Sequence, residues 1–349
     1  MAVAPALPAV LLSLIGISLW VAEAEVHHYN FIVAEKNFTR LCKSKSMLVV
    51  NGRFPGPAIY VHKGEQILIF GTWFTYDVNK VIREILRTGK DVPISDAYII
   101  NGQPGDFCAC SKEKTFRWRV DYGKTKRLKS LVSKEHPIDV PRNVTTRMYI
   151  TASMDRINHA DMDYTLLSSL NNISWVNPST DVLQAYYRHL SGFYTSDFPD
   201  EPPYYFDFVA DLRDTGTHPL KGTKVKILEY GEEVEIVFQS TNLLNASDEH
   251  SMYIHGHKFY ILGEGYGNFN STTDPETYNL VDPPYLSTAS LPVKGWLTIR
   301  FKANNPGVWA MHCQEGRHLI WGMSTVLIVK NGNNPETSIR SPPPNMPSC

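Results

Sequence analysis

Residues 311–323 read MHCQEGRHLIWGM and place Cys313, His318 and Met323 in one short run, with His312 directly before the cysteine. Copper of the blue type is held by two imidazoles, one thiolate and a weak axial thioether in a trigonal arrangement. Cys313, His318 and Met323 supply three of these from what reads as a strand–loop–strand unit. The fourth is expected from HSMYIHGHKF, residues 250–259, where His250, His255 and His257 precede a strand opening near Lys258. In that reading His250 and His318 are the nitrogen donors, Cys313 the thiolate and Met323 the axial group.

Side chains alternate faces along a strand, so if Cys313 points to this copper, His312 and Gln314 point away from it. His312 and His255 are then candidates for a second metal on the opposite side. Gln314 cannot replace an imidazole there, because its amide oxygen is hard and weakly basic. The plain alternative for a lone histidine is a solvated or hydrogen-bonded residue. That reading is given to His27, His62, His136, His159, His189 and His218, and His257 is expected to be exposed or to adjoin the ligands. Met311 and Trp309 read as core residues.

Outward from this run, most of the chain reads as β. Tyr29–Ala34 alternates, and Pro57–Phe70 reads as two strands around Lys63-Gly64. EVEIVFQS from Glu233, HKFYILGEG from His257, GWLTIRFKA from Gly295 and GMSTVLIVKNG from Gly322 follow the same pattern. Their Val, Ile, Phe and Tyr content, punctuated by Gly, Pro and Asn, predicts an all-β protein of sandwich or barrel strands. Two segments read as helices. DVNKVIREILRTG has Asp77 as cap, Val78, Ile82, Ile85 and Leu86 on one face and Gly89 as stop; STDVLQAYYRHLSG presents Val182, Leu183, Tyr186 and Leu190. The tail SPPPNMPSC reads as extended.

The 349 residues allow about two domains at roughly 150 residues each. Lys and Arg number 34 against 35 Asp and Glu, so charge gives no reason to propose nucleic acid as partner. Residues 1–24 form an apolar run ending in Ala22-Glu23-Ala24, the pattern of a secretory signal cleaved after Ala24, with a membrane anchor as the alternative. No later segment could cross a bilayer. Sequons begin at Asn37, Asn143, Asn172, Asn245 and Asn270 and, with the signal, predict a secreted glycoprotein. In an oxidising compartment the five cysteines should be paired or metal-bound, and one thiolate on a metal leaves four for two bridges.

Four stretches carry a family resemblance: FTRLCKSKSMLVVNGRFPGPAIYVHKG (38–64), SDAYIINGQPGDF (95–107), YNLVDPP (278–284) and NNPGVWAMHC (304–313). The chain resembles the plant laccases, secreted multicopper oxidases built from three cupredoxin domains. The resemblance implies Greek-key sandwiches and copper as cofactor. It also implies one-electron oxidation of small phenols, including lignin-type substrates, at a type 1 copper. Electrons then pass to a trinuclear cluster that reduces dioxygen to water. A monomer in the apoplast, free of the membrane after signal cleavage, is the expected form.

Carried onto this sequence, the family's H-P-M-H-L-H-G is His250-Ser251-Met252-Tyr253-Ile254-His255-Gly256. The type 1 histidine is His250, the type 2 histidine has become Tyr253, and a type 3 histidine remains as His255. The family's H-C-H-x-x-x-H is His312-Cys313-Gln314 followed by His318, which keeps the type 3 residue before the cysteine and loses the one after it. The W-H-G and W-H-A-H motifs of the family's first domain occur nowhere in the sequence. The resemblance divides the chain into 1–24 signal, 25–70 partial first domain, 71–126 partial second domain, 127–332 third domain with the type 1 site, and 333–349 tail. It pairs Cys42 with Cys110; Cys108 has no counterpart, and Cys349 is one candidate partner for it.

Three functions follow for comparison. One is a phenol oxidase, for which little turnover is expected because only His255 and His312 remain for the cluster. A second is a protein with a single type 1 copper that transfers electrons or binds copper. The third is an inactive, degenerate laccase.

Overall fold

The structure is a computed structural model describing residues 33–40, 43–53, 70–91, 93, 97–100, 103–104, 129–130, 132–133, 137–159, 164–211, 218–243 and 247–342. Its contacts divide the chain into two units: Met1–Thr75 with Asp96–Arg117, and Tyr76–Ser95 with Trp118–Cys349. Residues 71–126, set apart in the sequence reading, are thus shared between the two. The signal segment, Cys42, Cys108, Cys110, Cys349, Asn245, His27, His62 and His136 lie outside the described residues.

In the first unit, β1 (Val33–Arg40), which carries Asn37, pairs antiparallel with β2 (Lys43–Val50). A second small sheet joins β3 (Phe70–Trp73), β4 (Ala97–Ile100) and β5 (Gln103–Pro104).

The second unit is the sandwich that the alternation predicts. Its strands are β6 (Thr146–Asn158), β7 (Tyr164–Leu170), β8 (Ile173–Trp175), β9 (Leu220–Gly222), β10 (Val225–Leu228) and β11 (Glu233–Ser240). There follow β12 (His250–Ile254), β13 (Phe259–Tyr266), β14 (Tyr285–Leu286), β15 (Thr288–Leu291), β16 (Gly295–Lys302), β17 (Gly307–Cys313) and β18 (Ser324–Val329). Eight strands order as β14-β13-β16-β11-β6-β7-β8-β9 and five as β10-β18-β17-β12-β15. The pairings β6–β11, β8–β9 and β10–β18 are parallel and the others antiparallel. The architecture is all-β and cupredoxin-like.

Inward-facing residues of both sheets form one core. Met148 and Ile150 of β6, Ile236 and Phe238 of β11 and Leu297 and Ile299 of β16 meet Met252 and Ile254 of β12, Met311 and Cys313 of β17 and Leu327 of β18. Met311 is fully buried and Trp309 packs against this core from its edge, as the sequence reading expects.

The helices differ in detail from expectation. Helix α1 (Val78–Thr88) stops at Gly89, whose φ is +65°, and it buries Ile85; Leu86, expected on the same face, is 60% exposed. Helix α2 (Val182–Tyr187) begins at Asp181, whose carboxylate accepts from the Gln184 amide, and is shorter than expected. His189 takes φ +53°, a left-handed turn that ends the helix before Leu190 can join its buried face. Val182 and Ala185 are buried, while Leu183 and Leu190 are largely exposed.

Phe238 lies at the centre of the core and is fully buried. Phe238→Ala is expected to lower the unfolding free energy by about 3–5 kcal/mol. Leu86→Ala should change it by less than about 0.5 kcal/mol. Urea denaturation of both variants checks the contrast.

Candidate metal centre

Strands β12 and β17 build the site. They run antiparallel with Met252 opposite Cys313, Tyr253 opposite His312 and Ile254 opposite Met311. Because side chains alternate, His250, Met252 and Ile254 enter the core with Met311 and Cys313, while Tyr253 and His312 emerge on the other face.

On the core side, ligating atoms of His250, Cys313 and His318 all lie within 4.8 Å of one another. The Nδ1 atoms of His250 and His318 are 3.2 Å apart, and Cys313 Sγ is 3.5 Å from His318 Nδ1. All three residues are buried, as is Met323, which belongs to the same apolar cluster as Cys313.

The loop expected between Cys313 and Met323 is in fact a short helix, α3 (Gly316–Trp321). Gly322 closes it with φ +111°, and a Cβ there would fall 2.3 Å from Ser174 Oγ. Hydrogen bonds fix α3 from both sides. The Ser168 hydroxyl donates to the His318 carbonyl at 2.6 Å and Ser174 to that of Trp321 at 2.9 Å. The Met323 amide also donates to the His318 carbonyl at 2.9 Å, and the Cys313 amide to that of Met323 at 3.2 Å. The sheet bearing β7 and β8 thereby holds His318 against Cys313.

Burial sets the protonation of this group. It lowers His250 to about 3, with His318 and Arg317 adding repulsion, and lowers His318 to about 4, with Arg317 again contributing. Burial raises the Cys313 thiol to about 11. Two neutral imidazoles therefore face one protonated thiol in a dry pocket, with His318 Nε2 buried and lacking a hydrogen-bond partner. Asp248 Oδ2 lies 3.8 Å from that nitrogen and Glu315 Oε2 3.6 Å from His318 Nδ1. Arg317 pairs with both carboxylates. No sequence motif marks Asp248 or Glu315, whose role here arises only from the fold.

The opposite face carries His255 and His312, with their Nε2 atoms 3.0 Å apart. The Tyr253 ring lies 4.5 Å from that of His255 and 5.7 Å from that of His312. His312 Nδ1 is 2.8 Å from the Cys313 carbonyl, which directs its N–H there. Gln314 is exposed and meets this sheet through its backbone, its amide donating to Ser251 O at 2.8 Å. His257, expected exposed or adjoining the ligands, is only 7% exposed and packs against Phe301 and Trp309. Of the other histidines, His218 meets Asp155 at 3.0 Å and His159 meets Thr165 at 2.8 Å, in keeping with structural roles.

Three models for multicopper oxidase domains match residues 32–72, 64–133 and 197–333. The chain belongs to the multicopper oxidase family. Its relatives there are plant laccases. Laccase-21 of Oryza sativa is 28% identical across 92% of this chain and 94% of its own. That alignment runs over 554 residues against the 349 of this chain, so long internal stretches of the relative have no counterpart here. Putative laccase-16 of the same plant is 50% identical over 52% of this chain and 38% of its own, and Laccase-6 of Arabidopsis thaliana is 40% identical over 61% and 39%. Among solved structures, the laccase of Botrytis aclada aligns at 24% identity and TM-score 0.37, over 53% of this chain and 29% of that one. Fet3p, a multicopper oxidase that functions in iron import, aligns at 21% and 0.36, over 67% and 39%.

The cofactor of the family is copper, and the two faces differ in how well they fit it. The core side presents imidazole, imidazole and thiol, a soft donor set suited to copper, with an unpartnered imidazole nitrogen already buried there. The opposite side does not fit a cluster of three coppers. It offers two imidazoles and a phenol, and the sequence lacks the motifs that would supply the rest.

Copper uptake on the core side should displace one proton, since the thiolate is the ligand and the thiol is protonated at neutral pH. Both imidazoles are already neutral above pH ~5. Apparent affinity is therefore expected to rise about tenfold per pH unit between roughly pH 5 and 7. Competition titrations with a chelator across that range check the slope.

Proposed function

We propose that this chain is a laccase-like copper protein that takes single electrons from small phenols at a type 1 site and lacks the centre that would pass them to dioxygen. The observation that carries this reading is the asymmetry of one β-ladder. His250, Cys313 and His318 converge on its core side, with Met323 buried in the same cluster, while Tyr253 and Gln314 stand where the outer face needs imidazole.

Copper, when bound, supplies the one-electron acceptor. The rest is the work of this chain's residues. Met252, Ile254 and Met311 pack in the same buried cluster as Cys313 and Met323, which keeps the thiol side of the donor set in the core. Ser168 and the Met323 amide fix the backbone of His318, so that its ring edge stays aimed toward Asp248. Asp248 is then positioned to receive the proton that a phenol gives up as it loses an electron. The domain limits 127–332 for the copper-bearing part, and a Cys42–Cys110 bridge, belong to the same reading. So do secretion and glycosylation at the five sequons. Exposed Asn143 and Asn270, and Asn172 in the turn between β7 and β8, support glycosylation. No helix among the described residues is long and apolar enough to cross a membrane.

Copper-loaded protein is expected to show strong thiolate-to-copper absorption in the visible, lost in Cys313→Ser. A substituted phenol added without oxygen should bleach that band. In air, oxygen uptake should stay at the level of free copper. Sustained uptake abolished by Cys313→Ser would overturn the proposal. Colour that phenols do not bleach would mark a static copper-binding protein instead.

A further inference from the structure

We propose that the cleft over His257 is a saccharide-binding site, separate from the copper. A cavity of about 240 Å³ opens in the second unit, and Asp139, Glu233, His257, Lys258, Tyr285 and Asn304 are among its lining residues. His257 is 93% buried by solvent accessibility and is held on three sides. Its ring centroid lies 5.3 Å from that of Phe301 and 5.9 Å from that of Trp309, and its Nδ1 is 3.3 Å from the His255 carbonyl. A carbonyl only accepts, so the proton sits on Nδ1 and Nε2 presents a lone pair. That Nε2 is buried without a hydrogen-bond partner. Gly256 makes the arrangement possible: its φ is +67°, and a Cβ there would fall 2.3 Å from the Trp309 ring. His257 is among the residues lining this polar cavity, and a buried acceptor without a partner calls for a donor.

The rest of the lining narrows the donor's chemistry. Asp139 and Glu233 disfavour an anion, and Lys258 and Lys302 disfavour a cation. A neutral molecule whose every polar group both donates and accepts satisfies both signs at once, and a polyhydroxyl ring is such a molecule. Tyr260 has its hydroxyl engaged as acceptor from the Asp139 amide at 3.1 Å, which leaves its O–H to donate. The Tyr260 and Tyr285 rings stack with centroids 4.5 Å apart, and Tyr285 is 46% exposed. This aromatic surface suits the apolar C–H face of a sugar ring, while the surrounding charged groups and the Asn304 amide suit its hydroxyls. A simple phenol would leave most of these polar groups unmet.

Saturation-transfer NMR on the full chain with methyl β-D-glucopyranoside and methyl α-D-mannopyranoside tests the site. Saturable binding of at least one glycoside is expected, with a dissociation constant on the order of 1 mM. Tyr285→Ala and His257→Leu should each weaken it about tenfold or more, the second through loss of the unpartnered Nε2 acceptor. Tyr285 is on the rim, so its variant decides the matter if His257→Leu does not fold. Absence of saturable binding to either glycoside would overturn the proposal and leave the opening over His257 to water. Binding that both variants leave unchanged would overturn it too, as would competition by 4-methylphenol but not by the other glycoside. The visible copper band, read on the same samples, reports the metal site independently, so failure here is distinct from failure there.

Discussion

The register between β12 and β17 is the constraint on which the rest depends. Pairing Met252 with Cys313 and Tyr253 with His312 sends alternate residues of two strands to opposite sides of one sheet. A slip of one residue would exchange those sides, turning the thiol and His250 toward the exterior and the tyrosine into the core. The cost of burying Tyr253 and His312 among Met148, Phe238 and Leu297 makes that exchange prohibitive. Chemistry on the core side and its erosion on the other are thus two readings of a single ladder.

Burial then dictates what the core side can do. Neutral imidazoles and a protonated thiol sit together in the core, with Glu315 Oε2 3.6 Å from His318 Nδ1 and Asp248 Oδ2 3.8 Å from its Nε2. Asp248 and Glu315 lie at its margin, where Arg317 takes up their charge. The site therefore favours a cation that can replace one proton and bind soft donors, over one that needs hard oxygen ligands. Rigidity comes from the neighbouring sheet: hydroxyls of Ser168 and Ser174 reach across to α3, so two layers of the sandwich jointly define the donor geometry.

Much of this was legible in the sequence. The span Glu233–Ser240 reads directly as β11, and the spacing of Cys313, His318 and Met323 locates the donors. The alternation also predicts His312 and His255 on one side, and their Nε2 atoms lie 3.0 Å apart. What escaped was set by tertiary contacts. Helix α3 is six residues long, opens at Gly316, is closed by Gly322 and has no side-chain cap, so no local pattern announces it. Leu86 and Leu190 have the right period for a buried face, yet the partner surfaces stop short of them. Histidine visits the left-handed region more readily than most residues, yet nothing in the local pattern marks His189 as the place where the helix turns. His257 does adjoin His255, whose carbonyl meets its Nδ1 at 3.3 Å, but its enclosure by Phe301 and Trp309 comes from tertiary packing that the sequence does not announce.

The parallel pairing of β18 with β10 has a consequence for how the protein comes into being. Val225 aligns with Val326 and Leu228 with Val329, a separation of about a hundred residues that makes closure of the sheet a late and slow event. Because β10 is made long before β18, its edge must wait for the last strand of the sandwich, whereas Cys313 is followed by β18 almost at once. The thiol is therefore covered soon after it is made, and the waiting edge of β10 is the part of this sheet most exposed to wrong pairing during synthesis.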